Sequence, residues 1–252
     1  YDIEDNTITT VSSNVNSIIA PFKNPNKNKF LMKMADYVIT SSPTLNEHCL
    51  GINNRKKCKY ISSSINVNKF LPVNTYSNNK KVTIGWTGTF SSKEYLDLLR
   101  GVLIDLRMRC DFKLLIIGNF EYKFQEMDIE VIQWSSKSEV EDIQKIDIGI
   151  YPLSDDPWVY GKSGLKAIQY MAFGLPTVAT NIGTTPKIIE HMKNGLLVNN
   201  DKEWIEALEL LIKNSELRKS LGQNARETIV TKYSTDVIKM EYFSIISELY
   251  RN

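Results

Sequence analysis

From residue 81 to residue 200, short apolar runs alternate with amphipathic stretches. That alternation predicts a parallel sheet covered by helices on both faces. The runs 82–86 (VTIGW), 113–119 (KLLIIGN), 130–134 (EVIQW), 147–153 (DIGIYPL), 176–180 (PTVAT) and 195–198 (GLLV) read as its strands. Residues 93–109 carry apolar positions at helical spacing, and 135–145, 164–173 and 185–193 read as shorter helices, the first of them with serine at its N-cap. Upstream, 29–34 reads as a short helix, 35–42 as a strand, 43–52 as a helix with Pro43 near its start, and 59–65 as a further strand. Residues 66–80 are rich in asparagine, lack a helical period and read as a linker. Beyond 200 the pattern is helical throughout, as 201–214, 215–233 and 234–250, each opening on Asp or Ser. The chain therefore divides into residues 1–75, residues 76–233 and a closing helix over 234–252. That helix, with Tyr242, Phe243 and Tyr250, is expected to pack back on the first region, with membrane contact as the alternative.

Composition narrows the function classes. A chain of 252 residues with 42% apolar positions can bury one large or two modest cores. A net charge of +2 gives no global drive toward nucleic acid. Three cysteines without CxxC spacing suit a reducing, cytoplasmic setting better than a disulfide framework. His48 and His191 stand far apart in sequence and read as structural or surface residues, so no metal site is expected. No apolar run is long enough to span a membrane, and no signal peptide is visible. The opening YDIEDN reads as the end of a strand already under way, so an upstream portion is expected to be missing.

In open α/β sheets, ligands bind beyond the carboxyl ends of the strands. Two loops stand out there. In PWVYGKSGLK (157–166), Gly161 and Gly164 allow a tight turn into a helix whose first N–H groups and positive dipole end form an anion site. Lys162 and Lys166, four residues apart, read as sharing a face and reaching one phosphate or diphosphate. A solvated lysine pair is the competing reading. In GWTGTFSSK (85–93), Gly88, Thr89, Ser91, Ser92 and Lys93 offer N–H groups, hydroxyls and an ammonium to the other side of such an anion. Neither loop has the GxGxxG dinucleotide fingerprint or the GxxxxGK[ST] phosphate loop, which counts against a nicotinamide enzyme.

The stretch DIGIYPL…GKSGLKAIQYMAFGLPTVAT, followed by IGTTPKIIEHMKNGLLV, resembles the donor-binding domain of the GT-B glycosyltransferases, specifically glycosyltransferase family 4, the group 1 type. ADYVITSSPTL, KYISSSINVNKF and SELRKSLGQNARETIVTKYS are similar to other parts of that family, so the likeness spans essentially the whole chain. It implies an α/β, GT-B type fold of two Rossmann-like domains with parallel sheets, the N-terminal one incomplete here. It also implies a retaining glycosyltransferase that needs no cofactor and no metal. The donor would be a nucleotide diphosphate sugar. The acceptor would be a glycan or a lipid-linked acceptor, in cell-surface polysaccharide biosynthesis, at the inner face of the cytoplasmic membrane.

By the same resemblance the family's diphosphate contacts fall on Gly88 and Lys93, with Thr89 where the family has arginine. The helix start that caps the diphosphate falls on Ser163, Gly164 and Leu165, next to Gly161. The family's paired glutamates fall on Lys162 and Gln169, a GK…K…QYMA variant. Gln169 still offers its amide to a ribose hydroxyl. Lys162 and Lys166 are assigned to leaving-group stabilisation. Backbone over 132–135 is the candidate for the nucleobase, with Trp134 either stacking on it or serving as a core tryptophan. Trp158 and Tyr160 read as loop packing, with covering the sugar as the alternative. Asp155 and Asp156 read as turn-formers, with sugar binding as the alternative. The catalytic base is expected upstream of Tyr1. A non-catalytic nucleotide-sugar binder, or an inactive fragment of a glycosyltransferase, is the alternative function.

Overall fold

The structure, a computed structural model, describes residues 1–4, 25–72 and 81–251. The polar stretch 5–24 and most of the asparagine-rich linker, 73–80, lie outside them.

Asp2–Ile3 (β1), Val38–Thr40 (β2) and Cys58–Tyr60 (β3) form a parallel three-stranded sheet with β2 in the middle. Pro25–Met34 (α1) and Pro43–Ile52 (α2) complete this part. Met32, Val38, Leu45 and Cys49 are its buried centre. Ser42 starts α2 by accepting the Leu45 N–H, and Pro43 occupies the first turn, where its missing N–H removes nothing.

The second sheet has six parallel strands: Val82–Gly88 (β4), Phe112–Gly118 (β5), Ile129–Gln133 (β6), Ile148–Tyr151 (β7), Thr177–Thr180 (β8) and Leu196–Val198 (β9). Their order is β6-β5-β4-β7-β8-β9. The chain thus winds outward from β4 in one direction and from β7 in the other, leaving a crevice at the carboxyl ends of these two neighbours. The strands read as near-continuous apolar runs because both faces are covered. Ile84, Trp86, Leu114 and Ile116 face one core, while Leu115, Ile117, Tyr151 and Ala179 face the other. Arg100–Arg107 (α4) and Asp201–Lys213 (α8) cover the first face. Leu165–Ala172 (α6) and Ser215–Thr228 (α9) cover the second.

Several boundaries differ from the sequence expectation. The helix read over 93–109 is two helices, Lys93–Asp97 (α3) and α4. A tight turn separates them, in which the Leu99 N–H bonds Leu96 O, beside the helix-weakening Gly101. The helix over 135–145 contracts to Glu139–Ile143 (α5); Ser138 holds the N-cap position without a side-chain bond. The helix over 185–193 contracts to Thr185–Ile188 (α7), because the buried Asn194 side chain accepts the Glu190 N–H at 2.7 Å and Met192 turns to a positive φ of 63°. The caps of α8 and α9 are Asn200 and Asn214, one residue before the Asp and Ser expected there. After α9 a π-turn, Ile229–Tyr233, leads into Thr235–Tyr250 (α10).

β3 stops at Tyr60, and the strand read to 65 survives only as a bridge between Ile65 and Ser234. The Ile65 N–H bonds Tyr233 O at 3.1 Å, and the Thr235 N–H bonds Ile65 O at 3.0 Å. Next to it, Arg226 of α9 donates to the carbonyls of Val67, Phe70 and Ala172 at 2.5–2.7 Å. α10 lies on the first sheet. Ile238 and Ile245 pack with Ile61, Ile39 and Tyr37, and the Lys57–Glu248 and Lys59–Glu241 ion pairs flank them at 2.7 and 3.0 Å. Tyr242 joins that contact, whereas Phe243 and Tyr250 are exposed, contrary to expectation; they sit on the opposite side of α10. No helix among the described residues is long and apolar enough to cross a membrane.

Candidate functional site

A cleft of about 300 Å³ opens at the carboxyl ends of β4, β5 and β6. Thr87, Gly88 and Thr89 line it from β4, Asn119 from β5, Trp134 from β6, Glu139 and Ile143 from α5, and Lys166 and Gln169 from α6. Five of the residues singled out in the sequence therefore meet in one place: Gly88, Thr89, Trp134, Lys166 and Gln169.

The β4 loop is tied to itself and to its neighbour. The Thr89 N–H donates to Ser92 Oγ at 3.0 Å, the Thr89 and Ser91 hydroxyls share a 2.9 Å bond, and the Phe90 N–H donates to Asn119 Oδ1 at 2.9 Å. The Thr89 N–H, expected to face an anion, is thus engaged within the loop, and the Phe90 N–H is held by Asn119. Gly88 lies against the Trp86 ring so closely that a Cβ there would stand 2.0 Å from it. Lys93 does not line the cleft; its ammonium sits 5.5 Å above the Tyr122 ring.

α6 begins without a side-chain cap, after Gly164 at φ +76°. A Cβ at Gly164 would meet the Ile188 Cδ1 methyl at 2.4 Å and displace it, and the positive φ itself favours glycine. The first N–H groups of α6 have no partner within the helix. Lys162 precedes the helix in extended backbone, its carbonyl held by Thr184 Oγ1 at 2.6 Å. The expectation that Lys162 and Lys166 share a helical face therefore fails. The Lys162 ammonium lies 5.2 Å over the Tyr95 ring, that of Lys166 5.6 Å over Trp86. Burial, and secondarily the charge of Lys162, push the Lys166 ammonium down to about 8. Gly161, Lys162 and Ser163 form the approach to α6 and Leu165 is its first residue; none of the four lines the cleft.

Trp134 is half exposed, not a core residue, and its N–H is pinned to Gly118 O at 2.8 Å. Gln169 donates to Glu139 Oε1 at 3.0 Å, and the Trp134 indole donates to the same oxygen at 3.4 Å. Sequence reading missed Glu139, because an acidic residue in the first turn of a helix is commonplace. Asn119 was missed as well. Asp156 accepts the Trp158 and Val159 N–H groups and Asp155 accepts the Tyr160 hydroxyl, so both act in the turn. His191 accepts the Leu197 N–H away from the cleft. Among the described residues no cluster of His, Cys, Asp and Glu is arranged to hold a metal.

Tyr170, fully buried in α6, supports the cleft from beneath: its hydroxyl accepts the Thr87 N–H at 2.6 Å and bonds Thr87 Oγ1 at 3.1 Å. Burial pushes that hydroxyl up to about 12. Tyr170→Phe leaves the Thr87 N–H buried and unpaired, and is expected to cost about 1–3 kcal/mol in urea unfolding. A loss below about 0.5 kcal/mol would show that the bond contributes little.

The family model for glycosyl transferases group 1 matches residues 69–228, more than half of the chain. An uncharacterized glycosyltransferase of Methanocaldococcus jannaschii is 29% identical over 176 residues, which cover 65% of this chain and 47% of that protein. The capsular polysaccharide biosynthesis glycosyltransferase CapM of Staphylococcus aureus is 23% identical over 180 residues, 66% of this chain and 46% of CapM. The matches thus span less than half the length of these relatives. Among solved structures, HepE of Anabaena in complex with UDP and glucose superposes on 98% of this chain and 70% of its own, with a TM-score of 0.72 at 15% identity. That likeness fixes the architecture as GT-B type, with the cleft at the carboxyl ends of the six-stranded sheet. With the family model running from the crossing segment through α9 and the site built on the same stretch, the chain belongs to the group 1 glycosyltransferases.

Proposed function

We propose that this chain carries the donor site of a retaining glycosyltransferase. It would take a sugar from a nucleotide diphosphate sugar and pass it to a glycan or lipid-linked acceptor in cell-surface polysaccharide synthesis, at the cytoplasmic face of the membrane. The observation that carries this reading is Lys166, a half-buried ammonium beside a second cation at an uncapped helix start, in a cleft with an exposed tryptophan. Two cations at the positive end of a helix are unfavourable in the empty protein, and a diphosphate offsets both. The exposed Trp134 ring offers a stacking surface for the base. UDP in the HepE complex and the naming of CapM support the ligand class and the pathway class.

As the glycosidic bond breaks, negative charge grows on the diphosphate. The Lys166 ammonium and the α6 N–H groups are fixed where that charge develops, so they stabilise the leaving group without a metal ion. Gly88 and Thr89 form the opposite wall. Lys162 adds charge at the mouth, where Gly161, Ser163, Gly164 and Leu165 form the turn into α6. Lys93, turned to Tyr122, stands aside from this set.

Lys162 and Gln169, where the family has glutamates, favour a second reading: a nucleotide-sugar binder without turnover. The protein at its natural length is expected to consume one of UDP-, GDP-, ADP- or dTDP-sugars with retained anomeric configuration by NMR, and to do so equally in EDTA. Inverted product, or turnover abolished by EDTA, would overturn the mechanism. Binding without turnover would leave the binder.

A further inference from the structure

Glu139 supplies the only carboxylate in the cleft lining among the described residues. Its side chain is 17% exposed. Oε1 already accepts from Gln169 and Trp134. Oε2 stands 3.7 Å from the Lys69 ammonium of the crossing segment, beyond hydrogen-bond length. The carboxylate is thus oriented by three groups from three elements. A carboxylate only accepts hydrogen bonds, and a diphosphate lying against it would be repelled. The ligand group facing Glu139 must therefore be a hydrogen-bond donor rather than an anion.

Position along α6 says which donor. Gln169 follows Lys166 by three residues, about 4.5 Å along the helix axis. The carboxylate that Gln169 holds is therefore about one turn from the ammonium, with Trp134 on its other side. A nucleoside diphosphate places its ribose between phosphates and base. With phosphate on Lys166 and base on Trp134, the ribose hydroxyls arrive at Glu139.

We propose that Glu139 recognises the ribose diol of the nucleotide, a reading that rests on the donor site proposed above. Gln169 and Trp134 act as positioning residues for its carboxylate. The residue comes from α5, outside the α6 block that carries the other candidates.

The test is a calorimetric titration of the chain with UDP, GDP and ADP, then of the tightest binder and its 2′-deoxy and 3′-deoxy forms, on wild type and Glu139→Gln. Wild type is expected to bind the ribonucleotide at least tenfold tighter than one deoxy form. Glu139→Gln is expected to lose most of that preference, by weakening the ribonucleotide while leaving the deoxy form nearly unchanged. Lack of preference in the wild type overturns the inference without any mutation. So does a variant that keeps the preference, or one that weakens both forms equally. Absence of binding by all three nucleotides overturns the donor site as well.

Discussion

Lys166→Met is expected to make the ligand-free chain more stable while weakening its nucleoside diphosphate binding about a hundredfold. Both effects come from one desolvated ammonium. Its ordinary value is 10.5, and the fold lowers it to about 8. Between those values the unfolded chain holds a proton that the folded chain has released. Stability therefore rises with pH across the window and carries the full penalty below pH 8. That penalty is about 3 kcal/mol, so the methionine variant should melt about 6–12 °C higher at pH 7. The gap should narrow toward pH 10. The loss of affinity, about 3 kcal/mol, is that of a charge-assisted bond in a cleft. Wild-type affinity should also fall as pH rises through about 8, where the empty site loses its charge. Melting curves at pH 7 and 9.5 and titration with the tightest-binding nucleotide check all three. A variant that melts lower than wild type at pH 7, or binds as tightly, sinks the assignment.

Arg226→Met is expected to cost about 2–4 kcal/mol, seen as a lower urea midpoint with an unchanged slope. One guanidinium ties the carbonyls of Val67 and Phe70 in the crossing segment to Ala172 at the end of α6. Removing it leaves three carbonyls to find water in a half-closed place. Lysine, with a point charge in place of a planar fork, should restore less than half of the loss. A cost below about 1 kcal/mol would mean that the segment is held by its other contacts, such as Phe70 on Phe173.

The sheet was legible because burial on both faces writes itself as unbroken apolar runs. VTIGW and KLLIIGN needed no tertiary information to be read as strands. The ends of helices were less so. Asn200 and Asp201, or Asn214 and Ser215, are adjacent cap-formers, and only the hydrogen bond to Glu203 or Leu217 decides between them. Residues 185–193 have helical spacing, but Asn194 competes for the backbone through its side chain. The cleft was legible as two loops, since glycine and lysine at strand ends report local chemistry. Glu139 was not, because what marks it is its contact with Gln169, 30 residues away, and with Lys69, 70 residues away. Lys93 failed in the opposite sense: its neighbours in sequence suggested an anion, while its neighbour in space is the Tyr122 ring.

Where Ile65 and Ser234 meet, the outward and return passages between the two sheets run side by side, joined by hydrogen bonds. Two chain segments fastened at one point resist sliding past each other more than they resist turning about that point. Arg226 secures residues 67–70 on the six-stranded side, and α10 belongs to the three-stranded side, so both lever arms begin within a few residues of that point. Changes confined to residues 61–66 are therefore expected to alter the angle between the two sheets while leaving every wall of the cleft untouched.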